Sequence, residues 1–301
     1  MKQPTSRVGY AYALGAHTMW GLLPIYWKML AAVPSLEVIA HRVVWSLVFL
    51  ASICLAQRAC GDIVRTLAST RALITLGATG CLIASNWLVY VWAVTNDYIM
   101  EASLGYFISP LLTMALGALL LKEKSSISQR VAITIALIAV LYRITSEGQF
   151  PWVGSTLAIT LSLYGFFRKR LVISPVTGLS VETLLLAPLA LAYLSTTVAN
   201  GSSHFSIQQP GLMALLVLSG VLTSLPLLFF VRASQLLPLS TLGILQYTSP
   251  SLQFLAALCF FGEPLSMTSL VSFSLIWLAI AVYVVGEWRS HNYRPTTETT
   301  T

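Results

Sequence analysis

Uncharged, mostly apolar runs separated by short polar segments are the dominant pattern along the chain. The runs cover residues 8–27, 43–57, 72–96, 102–121, 131–142, 148–167, 183–231, 233–262 and 264–286. The run 183–231 is too long for one span, and the polar segment 200–211 divides it. Because a helix of about 20 residues crosses a bilayer, the pattern predicts ten helices, near residues 8–29, 37–57, 72–94, 101–121, 128–146, 151–170, 178–197, 211–233, 240–261 and 265–287.

The composition excludes a soluble, disordered or fibrous protein. Only 27 of the 301 residues are charged (17 Lys and Arg, 10 Asp and Glu), which is 9%, against roughly 25% in an ordinary soluble domain. Hydrophobic residues make up 56% of the chain. A soluble domain of this size would not have enough polar residues to cover them. A transmembrane barrel would show short alternating segments, whereas these runs are continuous. The predicted fold class is therefore an all-α integral membrane protein with ten transmembrane helices.

The basic residues predict the orientation of these helices. If the N-terminus is cytoplasmic, the outer side holds only Lys28, Arg42 and Arg143, so 14 of the 17 Lys and Arg residues lie inside. This asymmetry is the positive-inside pattern. It predicts an even number of spans with both termini in the cytoplasm. It also explains the net charge of +7 without a nucleic-acid partner.

The two halves of the chain resemble each other at a shift of about 140 residues. Ser109–Pro110 matches Ser249–Pro250, Tyr90 lies opposite Phe230, and His41 lies opposite Glu182. We therefore predict a first repeat over residues 1–146, a second over 147–288, and a cytoplasmic polar tail over 289–301. Because each repeat has five helices, the two must have opposite orientations in the bilayer. Such inverted repeats are typical of transporters that bind substrate at the midplane.

Four ionisable residues near or within the spans are the candidates for recognition or coupling, because such groups are costly in hydrocarbon. Arg42 is either a snorkelling interfacial cation or an anchor for an anionic substrate, with His41 as its neighbour or as a proton site. Glu101 either complements the dipole of the fourth helix, pairs with Arg42, or carries a coupling proton. Glu182 needs a partner or a proton at its depth. Glu123 is expected to cap or pair locally.

Aromatic and amide side chains within the spans are the candidates for a cavity wall. Asn86 and Tyr90 share one helix face, and an unpaired amide is unfavourable in hydrocarbon, so Asn86 should face other helices or a cavity. The predicted wall comprises Asn86, Trp87, Tyr90, Tyr106, Tyr164, Gln246 and Tyr247. Pro110 and Pro250 occupy matched places in the repeats, so both of their helices are expected to bend alike.

Motifs for ATP hydrolysis, for a hydrolytic nucleophile and for a zinc site do not occur in the sequence. We therefore expect no catalytic residue, no cofactor and no metal. The cysteines have no metal-ligand spacing and are interpreted as buried free thiols: Cys54, Cys60, Cys81 and Cys259.

Six motifs along the chain resemble the EamA family of the drug/metabolite transporter superfamily. They are WGLLP at 20–24, HRVVWS at 41–46, NWLVYVWAV at 86–94, EASLGYFISP at 101–110, YG at 164–165 and STLGILQYTSP at 240–250. The resemblance implies a ten-helix permease of the bacterial inner membrane with two inverted repeats. Ser109 and Ile244 depart from the family pattern, where Asn and an aromatic residue are common.

The expected function is secondary active transport of a small organic metabolite or drug by alternating access, coupled to protons or to exchange. The expected partners are the lipid bilayer and a small solute such as an amino acid, a nucleotide-like metabolite or a drug. The sequence leaves the substrate, the direction of transport, the coupling ion and homo-oligomerisation open. Two alternatives are a membrane enzyme acting on a lipid-linked substrate and a non-transporting scaffold. Neither requires an inverted repeat with a polar midplane.

Overall fold

Helices make up nearly all of the structure, which is a computed structural model that describes residues 7–95, 99–123, 125–147, 152–260 and 267–292. These ranges contain no β-strand. The helices are α1 (Arg7–Met29), α2 (Ser35–Ala56), α3 (Cys60–Ala68), α4 (Thr70–Thr95), α5 (Ile99–Leu120), α6 (Ile127–Glu147), α7 (Trp152–Arg170), α8 (Pro175–Ala199), α9 (Pro210–Leu236), α10 (Leu239–Gln246), α11 (Thr248–Phe260) and α12 (Met267–Asn292).

Eight of the predicted helices appear within three residues at both ends, and the last continues five residues farther, to Asn292. Within the described ranges, five helices are long and apolar enough to cross a membrane by themselves: α2, α4 (over 70–90), α6 (over 127–146), α8 and α9. Large apolar side chains such as Leu14, Val48 and Leu189 are exposed on the outside of the bundle, where lipid would cover them. The protein is therefore an all-α integral membrane protein, as the sequence predicts.

The predicted helix at 240–261 is divided at Tyr247. Proline has no backbone N–H, so Pro250 leaves the carbonyl of Gln246 without its usual intrahelical donor. The chain turns there, with the backbone N–H of Tyr247 bonding to the carbonyl oxygen of Ile244 at 3.2 Å. Pro110 lies inside the single continuous helix α5, so the expectation that both proline helices bend alike is wrong.

A short helix that the hydrophobic pattern did not predict lies between α2 and α4. Helix α3 has no buried residue and packs against α4 and α8. Among the cysteines, Cys54 is buried but Cys60 and Cys81 are exposed, which corrects the expectation of buried thiols. Cys81 lies on the outward face of α4, and a small apolar thiol is tolerated there. The side chain of Cys259 lies outside the described residues.

Helix packing in the two halves is matched. Helices α1, α2, α4 and α5 correspond to α7, α8, α9 and α10–α11. The contact of α1 with α9 therefore matches that of α7 with α4. In the same way α2–α9 matches α8–α4, and α5–α7 matches α11–α1. Each pair becomes the other when the helices of one half are exchanged for their counterparts in the other half. The pairs α2–α8, α6–α12 and α5–α10 are unchanged by this exchange. The division into two repeats stays a prediction, and the matched packing supports it.

Candidate substrate cavity

A cavity of about 870 Å³, including the space at its opening, lies between helices of both halves of the chain. Helices α1, α2, α4 and α5 line it from one side and α7, α9, α10 and α11 from the other. The lining residues are His17, Trp20, Leu23, Pro24, Trp27, Arg42, Ile83, Asn86, Trp87, Tyr90, Tyr106, Ser109, Pro110, Leu161, Thr223, Leu227, Gln246, Ser249, Pro250 and Gln253.

Arg42 supplies a positive charge to the cavity wall. Its side chain is 9% exposed, and its Nε donates a hydrogen bond to Thr223 Oγ1 at 2.8 Å. The guanidinium carbon lies 4.7 Å from the ring centroid of Trp27 and 4.8 Å from that of Trp87. An indole face attracts a guanidinium through its quadrupole. Two aromatic faces and one hydroxyl therefore hold this cation within the bundle.

The two predicted amides occupy different environments in the same cavity. The Nδ2 of Asn86 donates to the carbonyl oxygen of Leu157 and to Thr160 Oγ1, each at 2.9 Å. These bonds tie α4 to α7. The Oε1 of Gln246 accepts a hydrogen bond from Thr113 Oγ1 at 3.3 Å, and its Nε2 has no partner among the described residues. Asn86 is thus anchored, whereas Gln246 keeps free donor capacity.

Repeat-matched residues meet at this cavity. Ser109 and Pro110 line it from α5, and their counterparts Ser249 and Pro250 line it from α11. The rings of Tyr90 and Tyr106 meet edge to face, with their centroids 6.2 Å apart. The structure therefore brings together six of the eleven predicted site residues: Arg42, Asn86, Trp87, Tyr90, Tyr106 and Gln246.

Sequence reasoning missed several cavity residues, among them His17, Trp27 and Thr223. His17 is 2% exposed, its ring lies 5.3 Å from that of Trp20, and its Nε2 has no partner in the described part of the chain. A histidine inside an uncharged run was a signal that could have identified it. Trp27 and Thr223 became visible only through their contacts with Arg42, because the sequence does not show which helix faces meet.

Four of the remaining predicted site residues, His41, Tyr164, Glu182 and Tyr247, are described and do not line the cavity. His41 stacks on Phe205, with ring centroids 4.9 Å apart. The hydroxyl of Tyr247 donates to the carbonyl oxygen of Phe107 at 3.2 Å. Tyr164 and Glu182 belong to a separate buried network. The side chain of Glu101 lies outside the described residues.

Glu182 pairs with Arg168 inside the bundle. Its Oε1 lies 3.6 Å from Arg168 Nη1, and the two side chains are 1% and 0% exposed. Thr79 donates to the same carboxylate at 2.5 Å and the hydroxyl of Tyr164 at 3.2 Å. The partner that Glu182 was expected to need is therefore Arg168. This ion pair joins the end of α7 to α8, and the hydrogen bond from Thr79 to Glu182 joins α4 to α8.

Glu123 caps a helix of the other half, which corrects the expectation of local capping. Its carboxylate accepts hydrogen bonds from the backbone N–H groups of Leu239 and Ser240, at 2.9 and 3.0 Å, and from Ser240 Oγ at 2.9 Å. Lys169 Nζ lies 3.9 Å from Glu123 Oε1 and donates to the carbonyl oxygens of Ser234, at 2.9 Å, and Leu237. Glu123 thus fastens the end of α5 to the start of α10. We call these contacts the Glu123 latch.

The described residues contain no group of three His, Cys, Asp or Glu side chains that could ligate a metal ion. The described lining residues offer one guanidinium, one imidazole, three amides, hydroxyl groups and aromatic faces. These groups can bind and orient a solute. Among the described lining residues, none is arranged as a nucleophile with a base.

Known proteins resemble this chain along most of its length. A profile of the EamA-like transporter family matches residues 7–145. An uncharacterized transporter of Pseudomonas aeruginosa is 41% identical over 284 residues, which is 94% of this chain and 95% of that protein. The protein RarD of Escherichia coli is 36% identical over 285 residues, 95% of this chain and 96% of RarD. Another protein of P. aeruginosa, named chloramphenicol-sensitive protein RarD, is 32% identical over 276 residues, which is 90% of this chain and 92% of that protein.

A solved crystal structure of a protein shares the fold, with a TM-score of 0.71 and 17% sequence identity, covering 92% of this chain and 97% of that one. The relatives show a bacterial membrane protein of a transporter family, in agreement with the helical bundle and its cavity. The chain belongs to the EamA-like transporters of the drug/metabolite transporter superfamily, together with the RarD proteins.

Proposed function

We propose that the protein is a secondary active transporter that carries a small organic solute through this cavity by alternating access. The observation that supports the proposal is that both halves line one cavity, with Ser109–Pro110 facing it from α5 and Ser249–Pro250 from α11. A site shared between two inverted repeats is exposed to one side or the other when the repeats rock. A scaffold needs no such cavity, and a membrane enzyme needs a nucleophile arranged with a base, which the described lining residues do not show.

The cavity belongs to the half of the bundle that the charge pattern assigns to the outside. Arg42 lies near the start of α2 and Tyr106 near the start of α5, and both helix starts are on the predicted outer face. The Glu123 latch and the Arg168–Glu182 pair lie on the predicted cytoplasmic side of the cavity. In this proposal the structure is an outward-facing state that these two contacts close from within. Both termini are cytoplasmic, and the membrane is the bacterial inner membrane.

The predicted site residues divide into two groups in this mechanism. Six contact the substrate: Arg42, Asn86, Trp87, Tyr90, Tyr106 and Gln246. Glu182 and Tyr164 belong to the contacts that close the cytoplasmic side. If a proton binds Glu182, its ion pair with Arg168 is lost, and this step would couple transport to protons. His41 and Glu101, near the outer ends of α2 and α5, are further proton-site candidates. Coupling is to protons or to a counter-substrate.

Blocking the cavity without changing the fold tests the proposal. Leu23 lines the cavity, whereas its neighbour Leu22 is 47% exposed on the outside of the bundle. Proteoliposomes with wild-type protein, Leu23→Trp or Leu22→Trp would be assayed for uptake of labelled phenylalanine, uridine, S-adenosylmethionine, chloramphenicol and 3-phenylpropionate. We expect wild type and Leu22→Trp to transport at least one of these solutes, and Leu23→Trp to lose it.

Two results would contradict the proposal. One is a folded, reconstituted wild-type protein that moves no solute of the panel. The other is a Leu23→Trp variant that transports as the Leu22→Trp variant does. Size-exclusion chromatography of both variants separates a blocked cavity from a misfolded protein.

A further inference from the structure

We infer that the cavity selects a monocarboxylate carried on a flat apolar body, and that Arg42 binds the carboxylate. This inference rests on the proposed transport function, since it names the class of solute that the same cavity takes.

Arg42 has four N–H donors to spare. A guanidinium carries five N–H groups and no acceptor, and only Nε–H is bonded, to Thr223 Oγ1. Among the described residues, Thr223 is the one hydrogen-bond partner of the guanidinium, and no carboxylate lies within ion-pair distance of its two terminal nitrogens. The planar fork of two N–H groups matches a carboxylate with two parallel hydrogen bonds. A buried cation of this kind binds an anion from outside the chain.

The aromatic neighbours of Arg42 stabilise its charge without accepting hydrogen bonds from its N–H groups. Trp27 and Trp87 support the charge of Arg42 from their ring faces and leave its N–H edges free. Because Arg42 is only 9% exposed, the attraction between its guanidinium and an incoming carboxylate is stronger than at an exposed site. The same indoles, with Tyr90 and Tyr106, offer flat apolar surfaces to the rest of the solute.

Two further side chains of the wall have unused hydrogen-bonding atoms. Gln246 is 4% exposed and its Nε2, which can only donate, has no described partner. His17 is 2% exposed and its Nε2 likewise has none. The lining residues that the structure describes include no Asp or Glu, so an ammonium group would lack a charged partner among them. The unused amide donor of Gln246, together with the absence of an acidic acceptor among the described lining residues, favours an anion over a zwitterion or a cation.

The number of charges limits the anion further. Arg42 is the one Lys or Arg among the described lining residues. A single guanidinium neutralises a carboxylate, whereas a phosphate monoester would keep about one uncompensated negative charge within the bundle. The carboxylate is therefore the anionic group that fits this wall.

Five phenyl compounds that differ in their head group test the inference. They are 3-phenylpropionate, its neutral amide 3-phenylpropanamide, phenylalanine, phenethylamine and phenyl phosphate. Binding to the detergent-purified protein would be measured by tryptophan fluorescence, because Trp27 and Trp87 lie at the site, and by the shift in melting temperature. We expect 3-phenylpropionate to bind about tenfold more tightly than the amide or more, since a hydrogen bond to a charged group is worth more than a neutral one.

Variants of Arg42 assign the preference to its guanidinium. Arg42→Gln should bind the acid and the amide equally, and Arg42→Lys, which keeps the charge without the fork, should lie between. Arg170→Gln is the matched control, because Arg170 also packs on an aromatic ring, that of Phe166 at 5.6 Å, but does not line the cavity. It should retain the full preference. The comparison of acid with amide on the wild-type protein needs no variant to fold.

Several results would overturn the inference. They are equal or tighter binding of phenylalanine, phenethylamine or phenyl phosphate, no binding of any of the five compounds, or a preference for the acid that survives in Arg42→Gln. These outcomes are distinct from failure of the proposed function. A protein that transports phenylalanine and ignores 3-phenylpropionate keeps transport and loses the carboxylate site. One that binds 3-phenylpropionate through Arg42 but moves no solute keeps the site and loses transport.

Discussion

Removing the carboxylate of Glu123 should destabilise the protein, because the Glu123 latch joins its two halves. Glu123 accepts two backbone hydrogen bonds and one hydroxyl hydrogen bond at the start of α10. Its side chain is 13% exposed. Glu123→Ala leaves two N–H groups of α10 without this acceptor and Lys169 without its carboxylate. The latch also opposes the movement that would open the cytoplasmic side in the proposed mechanism.

The distances and the burial set the size of the effect. Hydrogen bonds to a charged acceptor contribute about 1.5–3 kcal/mol each, so three of them would contribute at most about 9 kcal/mol. Water can reach the freed N–H groups at the helix end, and losses at such N-terminal caps are about 0.5–2 kcal/mol. The Lys169 ammonium, 3.9 Å away and 18% exposed, adds at most about 1 kcal/mol. We therefore expect Glu123→Ala to lower the free energy of unfolding by about 1–3 kcal/mol.

The assay is reversible unfolding by sodium dodecyl sulfate in mixed micelles. Glu123→Gln, which keeps one acceptor oxygen, should lose about 1 kcal/mol. Asp62→Ala is the matched control, because Asp62 also lies at a helix start and pairs with a basic residue, Arg65 at 2.8 Å, but both side chains are more than half exposed. It should cost less than about 0.5 kcal/mol. The reasoning is refuted if Glu123→Ala is as stable as Asp62→Ala.

Two more substitutions test packing within the bundle by the same unfolding measurement. Glu182→Gln leaves Arg168 buried without a charged partner, which should cost about 3 kcal/mol, whereas the double change to Met at both positions should recover most of it; an equally unstable double variant would contradict this. Gly220→Ala should cost at least about 2 kcal/mol, because a Cβ there would lie 2.3 Å from the carbonyl carbon of Trp45. Gly77→Ala is the control, because a Cβ there would have no other heavy atom within 4 Å, and it should stabilise α4 by up to about 1 kcal/mol. If Gly220→Ala and Gly77→Ala have equal effects, the close approach of α2 and α9 at Gly220 is contradicted.

Most helices could be predicted from the sequence because lipid imposes a length and an apolar composition on every span. The break at Tyr247 could not, because Pro250 and Pro110 occupy matched positions and only the surroundings decide which helix opens. Helix α3 was also missed, since its nine residues lack the length of a span. Its charged residues made the connection resemble a loop.

The candidate site was predictable in its residue types but not in its pairings. Arg42 and Asn86 stand out because polar groups are rare in spans, and both line the cavity. The contacts of Glu123 with α10 and of Glu182 with Arg168 depend on which helix ends meet, which no local pattern encodes. Arg168 was interpreted as one of the inner basic residues for this reason. Its burial follows from the packing of α7 against its neighbours.

Side-specific labelling of one cavity position tests directly whether a single cavity opens alternately to the two sides of the membrane. Ser249 lines the cavity, so a Ser249→Cys variant without the four native cysteines would be exposed to a membrane-impermeant maleimide from either side of oriented vesicles. The account predicts labelling from both sides, with Glu123→Ala increasing the rate from the cytoplasmic side and lowering it from the outside. Labelling from one side only, unchanged by Glu123→Ala, would contradict a single cavity with alternating access.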